Sequence, residues 1–164
     1  DTGHRQSAGD FKADDSQGAE RHKGYVKALQ EAGMPYQPEL VVWFHTEDRK
    51  VKPAVMVQMM LEAELPIDAV VCYNDQIAVE VIRMLERIGK KVPEDLSETG
   101  YDDSMIARTG PVELTTVSHP QEKLGEMAAE LLLELLHGIP SEESKVRRLI
   151  EPELVIRKSC MARK

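Results

Sequence analysis

Two periodicities take turns along this chain, and their alternation restricts the fold more than any other property of the sequence. Runs rich in β-branched residues, "ELVVWF" at 39–44, "IDAVVCY" at 67–73 and "VELTTVSH" at 112–119, are separated by stretches whose apolar residues return every three or four positions. The clearest such stretch places Ile77, Val81, Met84, Leu85 and Ile88 on one helical face, with Gly89 as a stop and Pro93 beyond it. An earlier helix, "SQGAERHKGYVKALQEAGMP", ends at Gly33 and Pro35, with a stripe of Ala19, Tyr25, Ala28, Leu29 and Ala32. Pro53 suits the first turn of another, running through "AVMVQMMLEAEL", because its missing N–H would have no partner there. "LSETGY" at 96–101 is the weakest strand, since Glu98 and Thr99 stand where a strand covered on both faces is usually apolar. Pro120 opens a long helix with Leu124, Ala128, Leu131, Leu132 and Leu135 along one stripe and Leu133 and Leu136 widening it. "RRLIEPELVIRKS" reads as one or two strands split at Pro152. Strands alternating with helices predict an α/β fold, a mostly parallel sheet with helices on both faces.

With 164 residues, 41% hydrophobic and 30% charged, the chain has the size and composition of one globular domain that buries a core without staples. The net charge of -8 argues against this stretch gripping nucleic acid phosphates itself. Cys72 and Cys160 make no disulfide framework, and Cys72 sits in an apolar run as a small hydrophobe would, so a reducing, cytoplasmic compartment is expected. The opening residues carry no apolar signal segment, and no window approaches a membrane span, so no membrane partner is expected.

Four polar groups follow probable strands: "ADDSQGAERHKG", "YNDQIA", "GYDDS" and "TVSHP". In a parallel sheet these lie at the carboxyl ends of the strands, where such folds bind ligands. Each has a plain alternative explanation, because Asp, Asn and Ser cap helices and βα loops are full of them. As a set they suit a neutral polyhydroxylated ligand. A carboxylate accepts from two vicinal hydroxyls, an amide both donates and accepts, and a guanidinium donates in a fixed fork. Trp43 and Phe44 offer an apolar face for a sugar ring, with a core role equally open. The five histidines are scattered without zinc spacing, and there is no nucleophile elbow, Walker loop or G-x-G-x-x-G. No catalytic residue, metal or cofactor is expected.

From Cys72 to Ser104, "CYNDQIAVEVIRMLERIGKKVPEDLSETGYDDS" resembles the inducer-binding domain of the LacI/GalR family of bacterial repressors: a strand, an N-D pair, a helix, G-x-x-V-P-x-D-x-S and then G-Y-D-D. "RHKGY", "LTTVSHPQEKLGEMAAELLLELL" and "EPELVIRKS" extend the resemblance over nearly the whole chain. "FKADDSQGAERHKGY" and "SHPQEKLG" are most similar to the branch that joins a GntR-type winged helix-turn-helix to a LacI-type sensor. The resemblance implies a two-lobed, periplasmic-binding-protein-like sensor whose small sugar, L-arabinose in that branch, sits between the lobes and alters affinity for operator DNA. It carries ligand contacts onto Arg21, Asn74 and Asp102, and with weaker correspondence onto His119, Asp15 and Phe44. It also divides the chain into a C-terminal lobe (1–118), a crossover helix and strand of the N-terminal lobe (119–150) and a return strand with tail (151–164). The DNA-binding domain and most of the N-terminal lobe are then expected to lie outside this sequence. The wide Leu arc of residues 121–137 would be covered by dimerisation or by exchange of the helix between chains. Three rivals are weighed beside it: a secreted transport-binding protein, a phosphorylated receiver domain using Asp14, Asp15 and Asp75, and a sugar-processing enzyme for which no acid–base pair can be named.

Overall fold

In the computed structural model, the described residues are 3–137 and 149–163. Their elements are β1 (Ser7–Lys12), α1 (Ser16–Glu31), a short 3-10 turn (Pro38–Leu40), β2 (Val41–Phe44), α2 (Lys52–Glu62), β3 (Ala69–Val71), α3 (Asp75–Arg87), β4 (Ser97–Tyr101), α4 (Met105–Thr109), β5 (Thr115–Ser118), α5 (Gln121–Leu136) and β6 (Glu153–Val155). The sheet runs β2-β1-β3-β4-β5-β6, parallel except for β6, which returns antiparallel to β5. Strand order reverses between β1 and β3, so the loops after these two strands diverge and leave a crevice at the carboxyl edge.

Alternation along β1 divides the core. Ala8 faces a large cluster with Val42, Phe44, Val57, Val70, Ile77, Val81, Ile82 and Leu85 under α2 and α3, whereas Phe11 joins Tyr25 and Leu29 under α1. The periodicity of α3 matches its burial except at Ile88, which is 40% exposed. Asn74 caps its start and Gly89, at φ 77°, follows its end. The stripe on α1 is narrower than expected: Tyr25 and Leu29 are buried, while Ala19, Ala28 and Ala32 are exposed. Gly18 has the tightest fit, because a Cβ there would stand 1.9 Å from the Lys12 carbonyl oxygen. The start of α1 therefore closes directly onto the end of β1.

"LSETGY" forms a central strand despite its polarity. Glu98 is fully buried, and its carbonyl accepts from the Ser159 hydroxyl at 2.6 Å and its N–H donates to the Ser159 carbonyl at 2.8 Å. These bonds let the segment after β6 cover β4. None of the residues of α5 is buried, and Leu132, Leu133, Leu135 and Leu136 are each more than half exposed. Of the segment expected as strand around Pro152, Glu153–Val155 is β6, while Arg147 and Arg148 lie outside the described residues.

Candidate functional site

The carboxyl edge of the sheet gathers the predicted polar residues around one guanidinium. Arg21 projects from α1 with its guanidinium carbon 4.3 Å from the ring centre of Tyr73 and 3.8 Å from that of Tyr101, held between the two faces. Its Nη1 donates to the Tyr73 carbonyl, which fixes the plane of the fork. Asp102 Oδ1 lies 3.9 Å from both Arg21 Nη2 and His119 Nδ1. At that range neither contact is a hydrogen bond. Arg21, Tyr101, Asp102 and His119 line a cavity of about 370 Å³ together with Ser16, Gln17 and Glu20. Lys12, Phe44, Tyr73, Asn74 and Gln76 line a neighbouring one of about 540 Å³, with Tyr73 on the boundary between them.

The carboxylates along this edge differ in what already occupies their oxygens. Asp15 caps α1 through Gly18 N–H at 2.7 Å and spends its other oxygen on the Tyr73 hydroxyl at 2.8 Å and Lys12 Nζ at 3.1 Å. Burial pushes it upward, but those three donors outweigh burial and hold its carboxyl below the usual range. Asp75 takes Ser104 N–H at 2.8 Å and hydroxyl at 2.9 Å on one oxygen and the Thr116 hydroxyl at 2.6 Å on the other. Asp14 takes the Thr46 hydroxyl at 2.8 Å and N–H at 3.1 Å on one oxygen. The Asp102 carboxylate accepts no hydrogen bond from the described residues, and burial raises its carboxyl above the ordinary aspartate range against the pull of Arg21. An acceptor pair beside a fixed guanidinium fork suits vicinal hydroxyls.

Arg21, Asp102 and His119 are therefore brought together, and Asn74 lies across Tyr73 from them. Asn74 Oδ1 caps α3 through Ile77 N–H at 3.0 Å, and its amide nitrogen has no partner among the described residues. Asp15 is a cap and a brace for Tyr73. Phe44 is fully buried and stands edge-on to Tyr73 at 5.6 Å, so it acts as a floor under the cavity and leaves no open ring face. Trp43 points to the other side of the sheet, 4.8 Å from His22 in a separate aromatic group with Phe11. Sequence reasoning missed Tyr73 and Tyr101. Their signal was present, because each polar pair is preceded by a tyrosine, "YND" and "YDD". Burial, reinforced by the hydrogen bond to Asp15, pushes the Tyr73 phenol up to about 12, so it stays a neutral donor.

The acids of the phosphoacceptor alternative are already engaged by protein donors: Asp14 by Thr46, Asp15 by Gly18 and Tyr73, and Asp75 by Ser104 and Thr116.

A family model described as a periplasmic binding protein-like domain matches residues 1–160. The chain belongs to this family. It is 35% identical over 164 residues to an arabinose metabolism transcriptional repressor of Halalkalibacterium halodurans, covering 97% of this chain and 44% of that protein. It is 36% identical over 161 residues to the protein of the same description in Geobacillus stearothermophilus, covering 96% and 43%. A solved complex of the transcriptional regulator CelR with cellobiose superposes with a TM-score of 0.85 at 33% identity, covering 96% of this chain and 47% of that one. The chain thus spans less than half the length of the curated relatives it matches. These relatives are described as transcription regulators, and within the periplasmic-binding-protein-like family the chain shares the fold of solved LacI-family regulators, among them one from Chloroflexus aggregans at a TM-score of 0.85 and 26% identity, covering 96% of this chain and 56% of that one. No helix among the described residues is long and apolar enough to cross a membrane.

Proposed function

We propose that this chain is the effector-binding part of a cytoplasmic bacterial transcription repressor, and that it takes a small neutral sugar, L-arabinose, at the edge formed by Arg21, Asn74, Tyr73, Tyr101 and Asp102. The unclaimed Asp102 carboxylate beside the sandwiched Arg21 guanidinium carries the reading, because the other carboxylates described along this edge have accepted protein donors. Arabinose as the sugar is supported by the repressors described above and by an uncharged-ligand inventory. Residues 1–118 would form one lobe, 119–150 the crossover into a second and 151–164 the return, an assignment supported by β6 coming back antiparallel to β5 after α5. The exposed Leu face of α5 then belongs to an interface with the second lobe, and the working unit is a homodimer.

In that arrangement the sugar binds one relation of the lobes more tightly, and only this difference shifts operator affinity in a DNA-binding domain outside the chain. A coupling of about 1–3 kcal/mol changes operator affinity on the order of 5–150-fold. Calorimetric titration of the full-length protein with L-arabinose, D-ribose, D-galactose and cellobiose tests the reading. Saturable binding of L-arabinose that Asp102→Ala abolishes is the expected result; silence across the panel overturns it.

A further inference from the structure

The turn that presents Asp102 is left-handed at two successive residues, with φ 109° at Asp102 and 47° at Asp103. L side chains occupy that region at a cost, so the surroundings must hold the turn in place. The Asp102 N–H donates to the Val117 carbonyl at 2.9 Å, and the Asp103 N–H reaches Thr116 Oγ1 at 3.4 Å. A stronger hold acts on the Asp103 side chain, which is 13% exposed: its Oδ2 accepts from Arg108 Nη2 at 2.7 Å and its Oδ1 from Arg157 Nη2. Those guanidinium bonds outweigh burial and keep the Asp103 carboxyl below its usual range.

The two arginines are not equivalent. Arg108 is 63% exposed, whereas Arg157 is 14% exposed and fixed at two further points. Its Nη1 donates to the Leu114 carbonyl at 2.9 Å and its N–H to Thr115 Oγ1 at 2.9 Å, so it binds the start of β5 and the Asp103 carboxylate with one rigid fork. Arg157 stands two residues after β6, on the segment that returns after α5, and it lines neither of the cavities beside Arg21.

We propose that Arg157 is a positioning residue for the Asp102 carboxylate: by clamping Asp103 it holds the left-handed turn that aims Asp102 at Arg21 and His119, and it ties that aim to the place of the return segment. The inference rests on the reading of Asp102 as a sugar contact. Displacing the return segment moves Arg157, releases Asp103 and lets Asp102 relax out of the site, which makes the β6 segment the element through which lobe movement and sugar recognition are linked.

The test uses the full-length protein with Arg157→Met, Arg157→Lys and Arg108→Met, and it has two readouts. One is the ligand-free titration of the Asp102 carboxyl followed by carbon-13 NMR, which loss of global stability alone does not move in the folded state. The other is calorimetric affinity for L-arabinose. In Arg157→Met the Asp102 titration falls toward the ordinary aspartate range as the turn relaxes, and L-arabinose affinity drops at least tenfold. Arg157→Lys, which keeps the charge but loses the fork, recovers only part of both, and Arg108→Met leaves both near wild type. An unchanged Asp102 titration in Arg157→Met overturns the proposal, as does an equal effect in Arg108→Met. If the wild-type protein does not bind L-arabinose, the sugar assignment fails while the carboxyl titration still decides the clamp.

Discussion

Replacing Asp10 with Asn removes a pH-dependent loss of stability whose size and sign follow from the core. Asp10 lies on β1, fully buried on the face that α2 and α3 cover, with Oδ1 accepting the Tyr73 N–H at 2.9 Å and Oδ2 unpartnered among the described residues. Beside it the Cys72 thiol donates to Glu98 Oε1 at 3.2 Å, and Glu98 is itself fully buried with Oε2 unpartnered. Burial pushes the Asp10 carboxyl from 3.8 to about 6, although the Tyr73 N–H and the Cys72 thiol pull the other way. Burial likewise drives Glu98 well above its usual range, and the nearby Asp10 adds to that. Below the unfolded value of 3.8 both states keep the Asp10 proton, so the site carries no penalty. As pH rises to about 6 the unfolded chain gives up that proton and the folded chain does not, so stability falls and stays lower above that point. The displacement from 3.8 to about 6 corresponds to about 3 kcal/mol. Asn keeps the shape and the acceptor for Tyr73 N–H but never ionises. In urea denaturation at fixed ionic strength, the stability of Asp10→Asn relative to wild type should rise by ~2.4 kcal/mol between about pH 4 and about pH 7.5. Taking the difference cancels the opposite slope from carboxylates held low, such as Asp15 and Asp103. A difference that stays constant across that range refutes the reasoning.

Substitutions at four other residues separate recognition from scaffolding. Arg21→Lys retains the charge but loses the planar fork stacked between Tyr73 and Tyr101 and bonded to the Tyr73 carbonyl, and should weaken sugar binding by ~1–2 kcal/mol in calorimetry while lowering folding stability by ~1 kcal/mol. Asn74→Ala should cost ~1 kcal/mol of stability by uncapping α3 and also weaken sugar binding; Asn74→Ser restores the cap, so stability returns while the affinity stays low. Phe44→Ala should cost ~3–5 kcal/mol in denaturant unfolding because a fully buried ring is removed, whereas Trp43→Ala, at a residue 39% exposed, should cost markedly less.

How far the fold was legible in the sequence depended on whether apolar periodicity and burial coincide. They do in α3, where Ile77, Val81, Met84 and Leu85 repeat on one face and are buried there. In β4 they do not. Glu98 and Thr99 break the apolar pattern, and the strand exists because β3 and β5 flank it and the Ser159 hydroxyl and backbone bond to Glu98. A buried acid beside a thiol and a second acid is invisible to any pattern that scores hydrophobicity, since tertiary structure alone brings Asp10, Cys72 and Glu98 to one face. On α1 the failure runs the other way. Alanines at helical spacing read as a stripe, yet only the larger Tyr25 and Leu29 reach the sheet.

At the candidate site the residue types were legible and the division of labour was not. Asp and Asn are the residues that cap helices and also those that hold hydroxyls, so composition at a strand end is compatible with both. The distinction lies in lone pairs. Asp15 and Asp75 have theirs taken by helix starts and neighbouring hydroxyls, and substituting them should act through stability. Asp102 is different because its turn is left-handed. A cap residue precedes a helix with extended backbone, as Asp15 does at φ -146° and Asn74 at φ -152°, and in both the side chain folds onto the first turn. At φ 109° the Asp102 carboxylate is not folded back onto a helix, and the capping position before α4 passes to Ser104. A backbone conformation that costs energy and frees a carboxylate from capping is the reason Asp102, and not the flanking acids, is the residue we propose for recognition at this edge.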